Sequence, residues 1–570
     1  MKDAHKSGFF KSLFSGGRRG APARTDLPLY IPVALKPARV PPLDFDALVE
    51  VLLRHDYVPV TLFMEMVRLL EKTNPQPLAA EQRVRCTHML VEELNKGLST
   101  LFKRFVNEGS GVPESREQRE GMSQAVRAVE QLAISYKLAF RQEYAVLSDD
   151  PAQRERLAVV VLRIMELIRL EQLLRAFRYQ KLPQHAWRDS NQLFFASGGF
   201  SDVRTGHPLK IRIFENEGSP QRGLFPDVAT LEQVYLSIQI TGLLDVISWP
   251  THLMYIVDRY LAELDPRLTA VPDEEANLPA GHVVIYQNQS VPPRFSRSHD
   301  ELGKALLVDM RPLVRRAATD RVALNSPESA SALSGPLGEL DDHDRIPILD
   351  LLLQKVRPQK RGETRHTVFE ARDARVYGGF NDIYRFLRSA VAGNGAEAQD
   401  ERRFWDSLAM HSKVIIGDGD EAEPRWIVAN ESESGVQLRI QESQYAMLLQ
   451  VGRLVAYTFS GEDAATAKLG YIVRLQRVGE REVEVGIARI RQTATAVVVE
   501  DLDAEDQRTL PAVMVRDTSG KLQLLCDNKH GFMTGDRLAV HANGHPYTGA
   551  LGEAVLIKPD FTVFELHTAE

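Results

Sequence analysis

The sequence predicts a multidomain α+β protein. It would have an N-terminal helical scaffold, a mixed α/β middle region, then a C-terminal antiparallel β-barrel followed by a second small β subdomain. Three observations predict this. The chain has 570 residues, room for three to five domains at roughly 100–200 residues each. Its apolar pattern follows a helical period up to about residue 185 and becomes short strand-like runs beyond about 410. Between these stretches glycine and proline rise. Hydrophobic residues make up 44% and charged residues 26%, ordinary globular usage that excludes a disordered chain, a collagen and a disulfide mini-protein.

Residues 1–42 read as a basic flexible tail punctuated by Gly16, Gly17, Gly20, Pro22, Pro28, Pro32, Pro37, Pro41 and Pro42. Phe9, Phe10, Leu13 and Phe14 fall at helical spacing beside Lys6 and Lys11. Residues 6–19 are therefore suited to weak contact with an anionic membrane surface. The competing reading is a solvated tail whose aromatics dock on the body.

Residues 43–188 read as a helical domain. Helices are expected from Asp44 onward and at about 59–72, 79–107, 115–147 and 151–180. Asp150 should cap the last of these, with Pro151 in its first turn. Charged residues are expected on the solvent faces, and no chemistry is evident.

Residues 189–345 read as mixed α/β. Strands are expected at Leu209–Phe214, Val283–Gln287 and Ala305–Met310, helices at about 230–245 and 250–264, and an acidic linker at Ser326–Asp342. Residues 346–503 then read as a barrel with a leading helix at about 346–356 and a helical insertion at about 378–410. Its six strands are expected at Trp426–Ala429, Val436–Ile440, Leu454–Phe459, Gly470–Val478, Glu482–Ile490 and Thr495–Glu500, with a hairpin at Gly479-Glu-Arg. Residues 504–570 read as the small β subdomain, with strands at Ala512–Arg516, Leu522–Cys526, Arg537–His541, Gly552–Lys558 and Thr562–His567.

Charge and composition exclude several functions. The net charge of −7 argues against a partner that is a nucleic acid polymer. Residues 1–40 carry eight bases and two acids, or +6, which leaves −13 for the rest. Two distant cysteines, Cys86 and Cys526, suggest neither a zinc site nor a disulfide framework and fit a reducing compartment. No apolar run reaches the ~18 residues of a spanning helix, and the N-terminus lacks a signal-peptide core. A cytoplasmic location is expected, with peripheral contact at the inner membrane as the variant. No H-E-x-x-H, G-x-S-x-G or P-loop is present, so no catalytic residue, metal ligand or cofactor is expected. The acidic run Asp418–Glu423 fails as a calcium loop, because Glu423 stands where a glycine is needed and Ala429 where the final Glu is needed.

The most informative pattern is Trp426-Ile-Val-Ala-Asn430-Glu-Ser432-Glu-Ser-Gly435-Val-Gln-Leu. A strand enters a polar turn and another strand leaves it. Asn430 and Ser432 can bond turn backbone, and Gly435 permits a positive φ and a close approach by a ligand. Trp426 reads as a barrel-core anchor. Downstream come a hydrophobic strand with Gly452 and Val455, then Gly470-Tyr-Ile-Val-Arg474, then Val485-Gly486-Ile487.

In this order the sequence resembles the PilZ family, small β-barrel receptors for the bacterial messenger cyclic di-GMP. The resemblance lies at about 355–500. It implies that Asn430, Ser432 and Gly435 contact the ligand. The family also carries an R-x-x-x-R motif before its first strand, and Arg361-Gly-Glu-Thr-Arg365 matches it. A guanidinium can pair bidentately with guanine O6/N7 or with phosphate, and can stack on a purine. Arg365, however, lies 65 residues before Asn430, and Arg311-Pro-Leu-Val-Arg315 matches the motif equally well. Arg402 and Arg403 are nearer but lack an R-x-x-x-R partner. His366 and His411 flank the candidate site and read as surface or core histidines.

Either the barrel holds a long insertion and keeps a working site, or it is degenerate. A strand at Val368–Tyr377 and the break Gly378-Gly379-Phe380 favour the insertion. The expected function is a bacterial signalling protein that binds cyclic di-GMP and relays it to an unidentified protein partner by domain rearrangement. The alternatives are a nucleotide-independent adaptor with a degenerate barrel, and an enzyme of unknown class in the middle region.

Overall fold

The computed structural model describes residues 27–33, 58–108, 116–146, 150–197, 228–263, 281–295, 305–324, 342–355, 372–391, 426–441, 449–462, 467–479, 481–490, 494–503, 509–516, 520–542 and 545–568. Short pieces at 204–206, 209, 211–213, 222–223, 267–270, 337 and 366–367 complete it. Residues 6–19, the helix expected from Asp44, most of the 326–342 linker, the 399–409 helix, Arg361, Arg365, Arg402, Arg403, His411 and the acidic run Asp418–Glu423 lie outside the described residues.

The helical body comprises α1 (Pro59–Thr73), α2 (Ala80–Glu108), α3 (Arg116–Ala145), α4 (Pro151–Phe177) and α5 (Gln184–Ala196). The first four match the periodicity closely. In α1 the apolar face of Leu62, Phe63, Met66, Val67 and Leu70 is buried, as its spacing requires. Asp150 caps α4, its carboxylate accepting from the Ala152 N–H at 3.1 Å, and Pro151 opens the helix. The helix α5 was not expected from the sequence.

Departing from the expectation, α4 turns only its N-terminal charges, such as Glu155 and Arg156, to solvent. Neighbouring helices cover it, and Glu166, Arg169 and Glu171 are buried. Arginines donate to both carboxyls, Arg163 to Glu166 at 3.1 Å and Arg175 to Glu171 at 2.6 Å. Arg175 also holds Glu130. Lys137 meets Asp189 at 2.6 Å, both buried. From the tail, the Tyr30 N–H donates to the same Asp189 carboxylate, at 3.1 and 3.2 Å, and its ring stacks on His185.

The middle region contains β1 (Arg204–Gly206), β2 (Arg212–Ile213), β3 (Arg222–Gly223) and β4 (Val228–Thr230), which form the small ladders β1–β4 and β2–β3. Next come α6 (Leu231–Leu243), α7 (Thr251–Glu263), β5 (Arg267–Ala270), β6 (His282–Tyr286), β7 (Arg294–Phe295) and β8 (Ala305–Asp309). The last four make an antiparallel sheet in the order β5-β8-β6-β7. α6 starts with a capping box between Thr230 and Gln233. α8 (Arg311–Ala323) and α9 (Asp342–Lys355) follow.

The C-terminal part is two closed six-stranded antiparallel barrels. The first is built from β10 (Asp373–Gly378), β11 (Trp426–Glu431), β12 (Gly435–Gln441), β13 (Leu454–Phe459), β14 (Lys468–Arg477) and β15 (Glu482–Arg489). Its order is β10-β13-β14-β15-β12-β11, and a β10–β11 pairing closes it. A two-residue strand, β9 (His366–Thr367), adds to the outside of β11. Between β10 and β11 the chain leaves the barrel for α10 (Phe380–Val391). The second barrel uses β16 (Ala494–Asp501), β17 (Thr509–Arg516), β18 (Leu522–Asp527), β19 (Arg537–Ala542), β20 (His545–Ile557) and β21 (Phe561–Thr568), in the order β16-β17-β18-β21-β20-β19.

One strand changes barrels relative to expectation. Residues 494–501 pair with β17 and β19, not with the first barrel. The sixth place in the first barrel is already filled by β10, which hydrogen-bonds both β13 and β11.

Alternation fills the first barrel. Trp426 and Val428, Val436, Leu438 and Ile440, and Val483, Val485 and Ile487 all point inward. β13 is buried along its whole length. Its Val455, Tyr457 and Phe459 face the barrel interior, while Leu454 and Ala456 face a second cluster. That cluster joins Phe380, Ile383 and Leu387 of α10 to Val513, Leu525 and Phe561 of the other barrel. The helical body meets the first barrel at Tyr179, whose carbonyl accepts the Arg477 N–H at 3.0 Å.

Candidate functional site

The N-x-S-x-x-G segment forms the hairpin between β11 and β12. The Ser432 N–H donates to the Gly435 carbonyl at 2.8 Å, which closes the turn. The Ser432 hydroxyl lies 3.4 Å from the same carbonyl and 3.3 Å from the Ser434 hydroxyl. A bulge between Val428 and Asn430 re-aims the end of β11. The Asn430 amide then donates to Gln437 at 2.5 Å, and Gln437 donates to Glu484 at 2.8 Å. Glu484 also accepts from Arg439 at 2.7 Å, which holds that guanidinium above its ordinary pKa. A polar ladder therefore runs across the outer face of β11, β12 and β15.

Gly435 is needed for a different reason from the one expected. Its φ is not positive. A Cβ built on it would lie 2.3 Å from the Ile487 carbonyl oxygen of β15. The residue allows one strand's backbone to approach another.

The segment that begins one residue after Arg365 reaches this hairpin. In the β9–β11 ladder, Thr367 pairs with Asn430 and His366 with Glu431. Arg361 and Arg365 themselves lie outside the described residues. The rival Arg311–Arg315 sits in α8, where Arg311 clamps Asp309 with two bonds of 2.8 Å.

The same end of the barrel gathers a cluster the sequence reading missed. Arg372 precedes β10, Glu431 ends β11, Phe459 ends β13, Lys468 begins β14 and Arg489 ends β15. Arg489 donates to Glu431 and, at 2.7 Å, to the Tyr457 hydroxyl. Burial pulls the Arg489 pKa down, but Tyr457 and Glu431 outweigh it and hold it above its ordinary value. Arg372 donates to Glu462 at 2.8 Å. Burial lowers the Lys468 pKa, with Glu462 opposing the shift. A closed antiparallel barrel, whose neighbouring strands run in opposite directions, must bring alternate strand ends together. The basic residues at those ends were the signal that could have revealed this cluster.

The helical body supplies the other functional indication. Residues 60–273 match the family of the cyclic-di-GMP receptor FimW, N-terminal domain. The FimW-like segment runs from α1 through β5, and so includes Tyr179, which bonds to the barrel. The match therefore falls on the helical and middle regions, not on 355–500, where the motif resemblance lies. The sequence leaves the role of residues 43–345 open. Its residues there carry a packing pattern and no recognisable site motif. No curated protein matches the chain. Among the described residues, no helix is long and apolar enough to cross a membrane, and no cluster of His, Cys, Asp and Glu could hold a metal ion.

Proposed function

We propose that this protein is a cytoplasmic bacterial receptor for cyclic di-GMP, not an enzyme, and that it passes the signal to a protein partner. The ligand would bind at the end of the first barrel, between the Arg361–Arg365 segment and the Asn430–Gly435 hairpin. One observation carries this reading: β9 pairs with Asn430 and Glu431, so the chain that follows Arg365 is fastened at the hairpin although Arg365 and Asn430 are 65 positions apart. Consecutive Cα atoms are about 3.8 Å apart, well inside an arginine's reach. The match of residues 60–273 to a domain described as part of a cyclic-di-GMP receptor supports the same reading.

The chemistry suits the ligand. Cyclic di-GMP is a dianion with two guanines. Paired arginines can take phosphate oxygens or guanine O6/N7 bidentately, while Asn430 and Ser432 offer neutral polar groups. Ligand binding would tighten the β9 segment against β11. It would then bias how the barrel docks on the FimW-like body across the Tyr179–Arg477 contact.

Isothermal titration of the full chain with cyclic di-GMP tests the reading, beside an Arg361→Ala/Arg365→Ala variant. Micromolar or tighter binding that the variant loses is the expected result. No heat from the unchanged chain would leave a barrel that serves protein contacts alone.

A further inference from the structure

The end of the first barrel holds more positive charge than the motif residues account for. Arg372, Lys468 and Arg489 converge there from three strand ends. They bracket two carboxylates. Glu431 bonds Arg489 and lies 3.7 Å from Lys468 and 3.9 Å from Arg372. Glu462 lies 2.8 Å from Arg372 and 4.0 Å from Lys468. Beneath them, the Arg372 guanidinium stands 3.9 Å and the Lys468 ammonium 4.1 Å from the centre of the Phe459 ring.

Stability does not explain this arrangement well. The five side chains remain 16–39% exposed, and ion pairs in such places contribute about 0–1 kcal/mol each. Gathering three cations costs repulsion that two carboxylates only partly relieve, so the cluster keeps one excess positive charge. The Asn430–Gly435 hairpin adjoins it through Glu431, which lies inside the motif itself, and His366 of β9 pairs with that same residue.

We infer that Arg372, Lys468 and Arg489 form the phosphate-receiving half of the dinucleotide site. Glu431 and Glu462 occupy it as internal counter-charges until ligand phosphates take their place. This inference rests on the cyclic di-GMP reading above and adds three binding residues and a regulatory pair to it. A phosphodiester offers two oxygens to a guanidinium fork much as a carboxylate does, so the exchange keeps each cation paired. Glu462 is the more readily displaced, because two of the cations reach it, Arg372 at 2.8 Å and Lys468 at 4.0 Å, whereas all three reach Glu431. Glu431 is held by Arg489, which also ties Tyr457 to the hairpin. Removing the Glu462 charge should therefore open the site, and removing a cation should close it.

The test is titration of the full chain with cyclic di-GMP at low and moderate salt. The variants are Lys468→Gln, Arg372→Gln, Glu462→Gln and Asn430→Ala. Each cation variant should bind about tenfold more weakly, the scale of one lost charge-assisted contact. Lys468→Gln should also depend less steeply on salt. Glu462→Gln should bind several-fold more tightly, a gain that misfolding cannot produce. Melting temperatures show whether each variant folds. Unchanged affinity in Lys468→Gln and Arg372→Gln, or no gain in Glu462→Gln, overturns the inference. If Asn430→Ala still weakens binding in that case, the receptor reading stands without it. No binding by the unchanged chain overturns both.

Discussion

At Gly435 the backbone of β15 approaches so closely that even a methyl group has no room. The missing Cβ would stand 2.3 Å from the Ile487 carbonyl oxygen, and that carbonyl belongs to a strand paired on both sides. It cannot swing aside as a flexible side chain would. Gly435→Ala should therefore destabilise the chain by about 1–3 kcal/mol, the usual cost of overpacking a tight site. The urea midpoint measures this. A midpoint within error of the parent would mean that the hairpin relaxes freely. Gly452 is constrained in another way, with a φ of +90° and Pro559 of the second barrel 2.6 Å from its missing Cβ. Two glycines in one barrel thus answer to different physical demands.

Among the elements, β9 is one of the shortest, yet the proposed site depends on it. It is two residues long, sits at the barrel's outside, and pairs only with β11. Edge pairing of this kind contributes little to the core, whereas in the proposed site it carries the arginine segment. Replacing His366 and Thr367 with proline removes whichever backbone N–H joins the ladder. Cyclic di-GMP affinity should then fall about tenfold or more, while the melting temperature shifts by only a few degrees. A large drop in melting temperature, or full affinity, would contradict the separation of roles. By contrast, α10 stands at the seam between the barrels, with Phe380, Ile383 and Leu387 filling it. That seam explains why β13 has no solvent face.

Across the whole molecule, the buried charges of the helical body make stability depend on pH. Burial pushes the Glu166 carboxyl from its ordinary 4.5 up to about 8, against the pull of Arg163 and Arg169. Burial also raises Glu171 to about 7, with Arg175 opposing the shift. The folded chain thus holds protons that the unfolded chain releases above about 4.5. Unfolding then gives up protons through that interval, and stability falls as pH rises from about 5 to about 8. Glu166→Gln keeps the shape of the neutral carboxyl and removes its titration. Its urea midpoint should fall less than the parent's between pH 5.5 and pH 8, with Glu171 supplying the slope that remains. Equal slopes would show that Glu166 does not titrate in this interval.

The sequence by itself determined the local elements. The helical period located α1 to α4, and the Asp150–Pro151 cap marked where α4 begins, because both signals act within a few residues. Period-two alternation located the barrel strands, and Trp426, buried against the barrel core, was legible as an anchor. The Asn430–Gly435 turn was legible for the same local reason. Only the tertiary structure decided which strands share a barrel. Alternation tells which side chains face inward and leaves open which strand lies alongside, so residues 494–501 could be assigned to the wrong sheet. It also decided that Glu166, Arg169 and Glu171 of α4 are interior, since an i, i+4 pair looks alike on a solvated face and against another helix. Glu431, Glu462, Arg372, Lys468 and Arg489, spread over more than a hundred residues, became one cluster only when the barrel closed. Closure is a non-local event, and no short window of sequence contains it.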